Sequence, residues 1–274
     1  MSALYPATGG DVYHANGVSI DYSNASEGYV IITYSHPKHK KVRIKKDGGA
    51  LMTFDLPSDG PIVFPLSMGD GMYSITVYHL LSGDIYAQAC GIDIMADIKE
   101  PTRPYLYPNT YCWYTPDSKC VKFADKLCKG MDTSSGKLAA IYSWVIGNIK
   151  YDYELAEKVQ TERWWLPCPD EVLASGKSIC FGFASLLAGL CRSQGIPTRI
   201  EVGKVKQPGC KDDGVLHAYN AVYVLSEAVL PDGITVQPMK WFRLDPTLHS
   251  LHPISGLAAE WTAQDLLYKF EYRG

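Results

Sequence analysis

The sequence predicts an α+β protein in two parts, a β-sandwich followed by a domain whose helices come before its strands. Three observations carry that prediction. Between Gly17 and about Ile98, short β-rich runs alternate with turn residues at a spacing suited to antiparallel strands. From Ser118 to Gln194 the apolar residues recur at a helical period instead. Beyond Gly195 the strand period returns, which gives the helices-then-strands order of an α+β domain.

The first part divides into seven candidate strands: Val18–Tyr22, Tyr29–Tyr34, Lys41–Lys45, Leu51–Leu56, Ile62–Leu66, Met72–His79 and Ile85–Ile94. Val30, Ile32 and Tyr34 share one face of their strand and Tyr73, Ile75 and Val77 share one face of theirs, the period of two that marks a half-buried strand. Asp47-Gly-Gly, Ser58-Asp-Gly-Pro, Gly69-Asp-Gly and Ser82-Gly-Asp supply turn residues that tolerate positive φ or pre-set a bend. About seven strands without a long helix predict an immunoglobulin-like sandwich over residues 1–100. His36 and His39, in Ser35-His-Pro-Lys-His-Lys-Lys, read as an exposed basic turn.

Pro101, Pro104 and Pro108 then discourage helix among aromatic residues. Residues 101–117 are therefore expected to form a linker, and its tyrosines with Trp113 are too apolar for a free tether, so it should lie against the second domain.

That domain is expected over residues 118–274. Ser118–Lys129 places Val121, Ala124, Leu127 and Cys128 on one stripe, and Ser134–Ile149 does the same with Leu138, Ile141, Tyr142, Val145 and Ile149. A third helix, Ile179–Gln194, aligns Phe183, Leu186, Leu187, Leu190 and Cys191 and stops at Gly195 with Pro197 two residues on. Strands are expected at Thr198–Val205, His217–Leu225 and Met239–Asp245.

Composition bounds what such a chain does. At 274 residues it is long enough for two modest domains, because single cores stop growing near ~250–300 residues. Hydrophobic residues make up 46% and charged residues 20%, enough for a packed core and unlike a disordered or collagen-like chain. A net charge of -3 gives no basic footprint, so no nucleic-acid partner is expected. No run approaches the ~18 apolar residues of a membrane span, and Met1-Ser-Ala-Leu-Tyr-Pro lacks the basic-then-apolar pattern of a secretory signal. The eight cysteines form no Cys-x-x-Cys pair and none stands beside a histidine at zinc-finger spacing. Reduced thiols in a cytoplasmic protein are the expectation.

One cysteine is placed for chemistry. A thiol attacks an acyl carbon as thiolate, and the first turn of a helix, with its unpaired N–H groups, favours negative charge. Cys180 stands there, whereas Cys191, deep in the apolar stripe, reads as a packed core residue. Downstream, His217 opens a strand and Asp245 closes one. If Ser226–Pro238 is the reversal, the two strands are antiparallel, and pairing Leu225 with Gln237 also pairs His217 with Asp245. Facing side chains then stand ~4.5–5.5 Å apart at Cβ, within reach of an imidazole–carboxylate hydrogen bond. His217, Tyr219, Ala221 and Tyr223 point one way along that strand. An imidazole fixed in one tautomer has its other nitrogen free for the thiol proton, which completes a Cys180–His217–Asp245 triad.

Ser178-Ile-Cys180-Phe-Gly182-Phe-Ala184, then His217-Ala-Tyr-Asn220, then Trp241-Phe-Arg-Leu-Asp245-Pro246-Thr247 resemble, in order and type, the three motifs of the transglutaminase-like superfamily. Ala140-Ile-Tyr-Ser-Trp144-Val with Asn148-Ile-Lys-Tyr151-Asp-Tyr153 is similar to the segment before the cysteine in bacterial members, and Gly195-Ile-Pro-Thr-Arg199 to their helix exit. The resemblance covers about residues 118–250 and implies a papain-like arrangement, with a cysteine-bearing helix against a small antiparallel sheet. Two departures stand out. Ser178 occupies a position where many relatives have glycine, and is expected to cap the helix. The 28 residues from His217 to Asp245 exceed the usual gap, which points to an inserted loop at Ser226–Pro238.

Acyl transfer also needs donors for a tetrahedral oxyanion. The backbone N–H of Cys180 is the expected first donor, and the resemblance implies a side-chain donor upstream, with Tyr151 and Tyr153 as candidates and Trp144 and Trp164 behind them. Trp164, Trp165 and Tyr219 are candidate walls of a substrate cleft, together with Arg163 and the Lys206–Leu216 loop. The expected function is that of a cysteine protease or amidase acting on a peptide or protein through an acyl-thioenzyme, with no cofactor and no calcium loop. Transamidation of glutamine is the first alternative, because water and an amine attack the same intermediate. A non-catalytic module binding protein or carbohydrate is the second.

Overall fold

The computed structural model describes residues 3–162, 164–205, 215–251 and 269–273. It is a mixed α+β structure whose chain forms two compact units, one of residues 6–110 and the other of residues 1–5 with 111–274.

The first unit contains strands β1 (Val12–Ala15), β2 (Val18–Asp21), β3 (Tyr29–Tyr34), β4 (Lys40–Lys46), β5 (Leu51–Asp55), β6 (Ile62–Pro65), β7 (Gly71–Ser82) and β8 (Ile85–Ala96). They form two antiparallel four-stranded sheets, in the orders β1-β2-β3-β6 and β5-β4-β7-β8. The period of two holds: Val42 and Ile44 of β4 and Tyr73, Ile75 and Val77 of β7 are fully buried between partly exposed neighbours. The rings of Phe54 and Phe64, one from each sheet, meet edge to face at 5.6 Å and join the sheets in a common core. The seven expected strands all form, and β1 is an eighth that the sequence reading missed because its side chains stay largely exposed.

Residues 101–110, read from sequence as linker, belong to this unit. Side-chain bonds account for the difference. Arg103 Nε and Tyr107 Oη both donate to Glu27 Oε2, at 2.6 and 2.8 Å, Tyr105 Oη donates to Ser67 O, and Thr110 Oγ1 donates to Asp55 O. Gly28, at φ 85°, makes room for Pro104, whose Cγ would lie 2.3 Å from a Cβ there. The remaining part, 111–117, falls in the second unit: Ser185 Oγ donates to Tyr111 O at 2.7 Å and Cys112 Sγ to Ser185 O.

The second unit runs α1 (Lys119–Leu127), α2 (Ser134–Asn148), β9 (Lys150–Tyr151), α3 (Tyr153–Lys158), α4 (Pro169–Ser175), β10 (Lys177–Ser178), α5 (Cys180–Ser193), β11 (Thr198–Val205), β12 (Val215–Tyr223), β13 (Ala228–Val229), β14 (Thr235–Val236), β15 (Trp241–Leu244), α6 (Pro246–Leu251) and β16 (Lys269–Arg273). Helix α5 is buried from Gly182 to Ser193 and is the centre of the unit, with α1, α2 and α4 against it. An antiparallel sheet in the order β15-β12-β11-β16 lies beside it. Asn220 ties the two together, its Nδ2 donating to Ala184 O of α5 and to Arg199 O of β11. The three expected helices form within one or two residues of their expected limits. Helices α3, α4 and α6 are additions, each six or seven residues, too short for a helical period to declare itself. No described helix is long and apolar enough to cross a membrane.

Candidate active site

Helix α5 begins at Cys180. Its N-cap is Ile179, which contributes no side-chain bond, so the expectation that Ser178 caps the helix is not met. Ser178 instead sits in β10, pairing in parallel with Tyr151 of β9, and its Oγ is buried with no hydrogen-bond partner among the described residues. The reason lies in Gly182. A Cβ there would fall 1.8 Å from Ser178 Oγ and 2.6 Å from Ser178 Cβ, so the serine side chain occupies the space that glycine leaves over the first turn. Gly182→Ala is expected to push the start of α5 off β10 and to destabilise the fold by about 1–3 kcal/mol, as overpacking does. Thermal unfolding measures the loss, and Ser178→Gly in the same chain should restore most of it.

His217 and Asp245 meet. His217 Nε2 donates to Asp245 Oδ2 at 2.6 Å, and Cys180 lies close enough to the ring to act on its charge. With Nε2 on the carboxylate, Nδ1 is the ring nitrogen left for the thiol. The imidazole is 13% exposed and the carboxylate fully buried. Burial opposes charge on the ring, but the Asp245 charge and hydrogen bond, with the influence of Cys180, outweigh it and raise the His217 pKa to about 10.

The strand pairing behind this contact differs from the sequence expectation. Strand β12 pairs with β15 as Asn220↔Leu244 through Tyr223↔Trp241, so continued pairing sets Tyr219, not His217, across from Asp245. The expected partners Leu225 and Gln237 are not paired. The register slips by two because Ser226–Pro238 is more than a reversal: it folds into its own hairpin, β13 against β14, with Ala228, Leu230 and Val236 buried and Ser226 bonded to Ser135 of α2. A slip of two keeps every side chain on its face, so His217 still reaches Asp245 along the diagonal.

Asp245 serves two structural ends. Its Oδ1 accepts from Leu248 N at 3.0 Å, capping α6, while Oδ2 takes the histidine. Tyr142 of α2 backs this corner, its hydroxyl 3.4 Å from Asp245 O and 3.0 Å from Nδ1 of the buried His249. The sequence reading missed Tyr142 and His249 as supports. The signal was present, since Asp followed by Pro is a helix-start pattern and His249 lies one turn beyond.

The other candidates separate. Tyr151 lies near the thiol: its pKa is raised by burial first, then by the Cys180 charge. Tyr153 is 69% exposed and stacks edge-on against Tyr151 at 4.9 Å. Asp152 holds the segment, capping α3 through Leu155 N and pairing with Lys177 at 3.1 Å. Trp165 meets Phe181, the residue after Cys180, at 6.3 Å, whereas Trp164 is largely exposed. Trp144 packs on Phe123. Tyr219, expected to line a cleft, is fully buried beneath the Arg243 guanidinium. Its place in the middle of the sheet, rather than at the strand end, accounts for that. Arg163 and residues 206–214 lie outside the described residues. Cys112 and Cys128 are pushed up to about 11 by burial, as expected of packed thiols, and Cys191 is likewise fully buried. Cys168 and Cys180 are both partly exposed, and of the two Cys180 is the one that acts on His217.

The site thus brings together a thiol at a helix start, an imidazole and a buried carboxylate bonded to that imidazole. Residues 121–246, which include all three, match the family model of the transglutaminase-like superfamily. The chain is 31% identical over 93 residues to the kyphoscoliosis peptidase of Mus musculus, a match that takes in 32% of this chain and 14% of that protein. Among solved structures it is similar to a candidate cysteine protease from Cytophaga hutchinsonii, at 16% identity and a TM-score of 0.41 over 86% of this chain and 78% of that one. It is also similar to red sea bream transglutaminase, at 14% identity and a TM-score of 0.32 over 80% of this chain and 47% of that one.

Proposed function

We propose that this chain is a cysteine protease or amidase, with Cys180 as nucleophile, His217 as base and Asp245 as the group that orients the histidine. The single observation that carries the reading is the 2.6 Å bond from His217 Nε2 to the fully buried carboxylate of Asp245, with Cys180 at the start of α5 acting on the same imidazole. Nε2–H bonds Asp245 and Nδ1 carries the proton shared with sulfur, so the charged ring already holds that proton as sulfur attacks the acyl carbon. The first-turn N–H groups of α5 receive no side-chain cap and so are available to the oxyanion that develops. Tyr151, beside the thiol, is the second donor in this reading, and Tyr153 only supports it. Trp165 with Phe181 flanks the acyl group. His217 then gives its proton to the leaving amine, and water, activated by the same nitrogen, releases the acid. Water rather than an amine as acceptor accords with the name of the mouse relative, a peptidase.

For the first unit the proposal is an immunoglobulin-like sandwich. Its sheets correspond to such an order, with β2, β3 and β6 in one sheet and β5, β4, β7 and β8 in the other, and β1 added at an edge.

The test is iodoacetamide alkylation as a function of pH, with the modified residue located by peptide mapping. Cys180 should react faster than the buried cysteines throughout and keep its rate below pH 7, and His217→Ala should remove that low-pH reactivity. Equal rates in both proteins would end the enzyme reading.

A further inference from the structure

The first unit carries a concentration of charge that the thiol site does not use. Residues 38–46 hold six of the chain's 26 lysines and arginines and none of its 29 acidic residues. Most of that run is β4, whose inward side chains Val42 and Ile44 are fully buried. Lys40 is buried too, its ammonium held by Asp59 and by Ser58 O. Lys41, Arg43 and Lys45 remain in one row on the outer face. Across the ladder stand Tyr78, Thr76 and Ser74 of β7 on one side and Asp55, Thr53 and Leu51 of β5 on the other. The Lys41 ammonium lies 4.5 Å from the Tyr86 ring and the Arg43 guanidinium 5.4 Å from the Tyr78 ring. Of the two carboxylates on this face, Asp55 meets His39 Nε2 at 3.1 Å and attracts the Lys41 charge across the ladder, while Asp93 accepts from the Ser74 hydroxyl at 2.5 Å. Among the described residues, none of the three cations forms an ion pair.

We propose that the outer face of the β5-β4-β7-β8 sheet binds an extended acidic polypeptide in which carboxylates alternate with neutral residues, laid along β4. Spacing favours a peptide over other polyanions. Alternate side chains on a strand stand about 6.6–6.8 Å apart, and an extended peptide repeats at the same interval. Lys41, Arg43 and Lys45 therefore meet three carboxylates at once, each bond at full reach. The tyrosine rings hold the cations by cation–π attraction and offer flat surfaces to the intervening residues. A polysaccharide or nucleic acid matches the charge but not the repeat. This surface goes beyond the thiol reading and needs nothing from Cys180.

Fluorescence anisotropy on the full chain carrying Cys180→Ala tests it, with a labelled peptide of six Glu-Ser repeats against one with six glutamates followed by six serines. At about 0.15 M salt the alternating peptide should bind several-fold more tightly than the block peptide. Lys41→Gln, Arg43→Gln and Lys45→Gln together should weaken it by about tenfold, the sum of three exposed ion pairs. Arg43→Gln alone, at an exposed side chain, should weaken it by about twofold, its share of that tenfold, and decides the matter if the triple variant does not fold. Equal binding of the two peptides, unchanged affinity in folded variants, or tighter binding of a heparin oligosaccharide or an oligonucleotide of equal charge would overturn the proposal. Because the protein used lacks the thiol, failure of the enzyme reading leaves this result unaffected.

Discussion

Asp245→Asn is expected to lower kcat/KM by about four orders of magnitude while leaving the backbone in place. Asparagine still accepts from Leu248 N at the start of α6, so the cap survives. What changes is the histidine. An amide presents an N–H or a neutral oxygen to Nε2, so it does not stabilise the imidazolium that holds the thiol proton. The same substitution has a signature in stability. The folded-state pKa of His217, about 10, lies above its ordinary value near ~6.5. The imidazolium–carboxylate pair therefore contributes stability that is fully present below about pH 6.5 and is lost as pH rises through about 10. The gap in melting temperature between the parent and Asp245→Asn should be widest near pH 6 and narrow toward pH 10. A gap that stays constant across that range would mean that the pair is not charged in the folded protein.

Cys180→Ala is expected to be the more severe loss in chemistry and the milder one in stability. Removing the nucleophile of a comparable triad costs about 10⁶ in kcat, with residual turnover from oxyanion donors alone. The side chain is only partly buried at the first position of α5 and alanine fits there without strain, so the fold should hold with a change in stability below about 1 kcal/mol. Mass spectrometry of the parent protein mixed with an activated peptide ester should show an acyl adduct on Cys180, and the variant none. Adding an amine to the acylated protein then separates the two acceptors. Release of free acid at an unchanged rate supports hydrolysis, and capture as amide supports transamidation.

The sequence by itself determined the order of elements and the chemistry available to them. Period two wrote the strands from Val18 to Ala96, period 3.6 wrote the three long helices, and each survives because its apolar residues have one face to bury. The grouping of Cys180, His217 and Asp245 was legible for a related reason. A helix start, a strand start and a strand end are positions that local pattern fixes, and strand faces are conserved under any even slip. Tertiary structure decided what depends on distant residues. The β12–β15 register was set by the packing of Ser226–Pro238 on α2, which no local period records. The membership of 101–110 in the first unit was set by bonds to Glu27, Ser67 and Asp55, some 38 to 80 residues earlier. The exclusion of Tyr219 from solvent and the need for Gly182 under Ser178 likewise arise from contacts made only when the elements close on one another. Local pattern specifies faces and ends, because these follow from the geometry of one element. Register, unit boundaries and burial belong to pairs of elements, and only the packed chain can decide them.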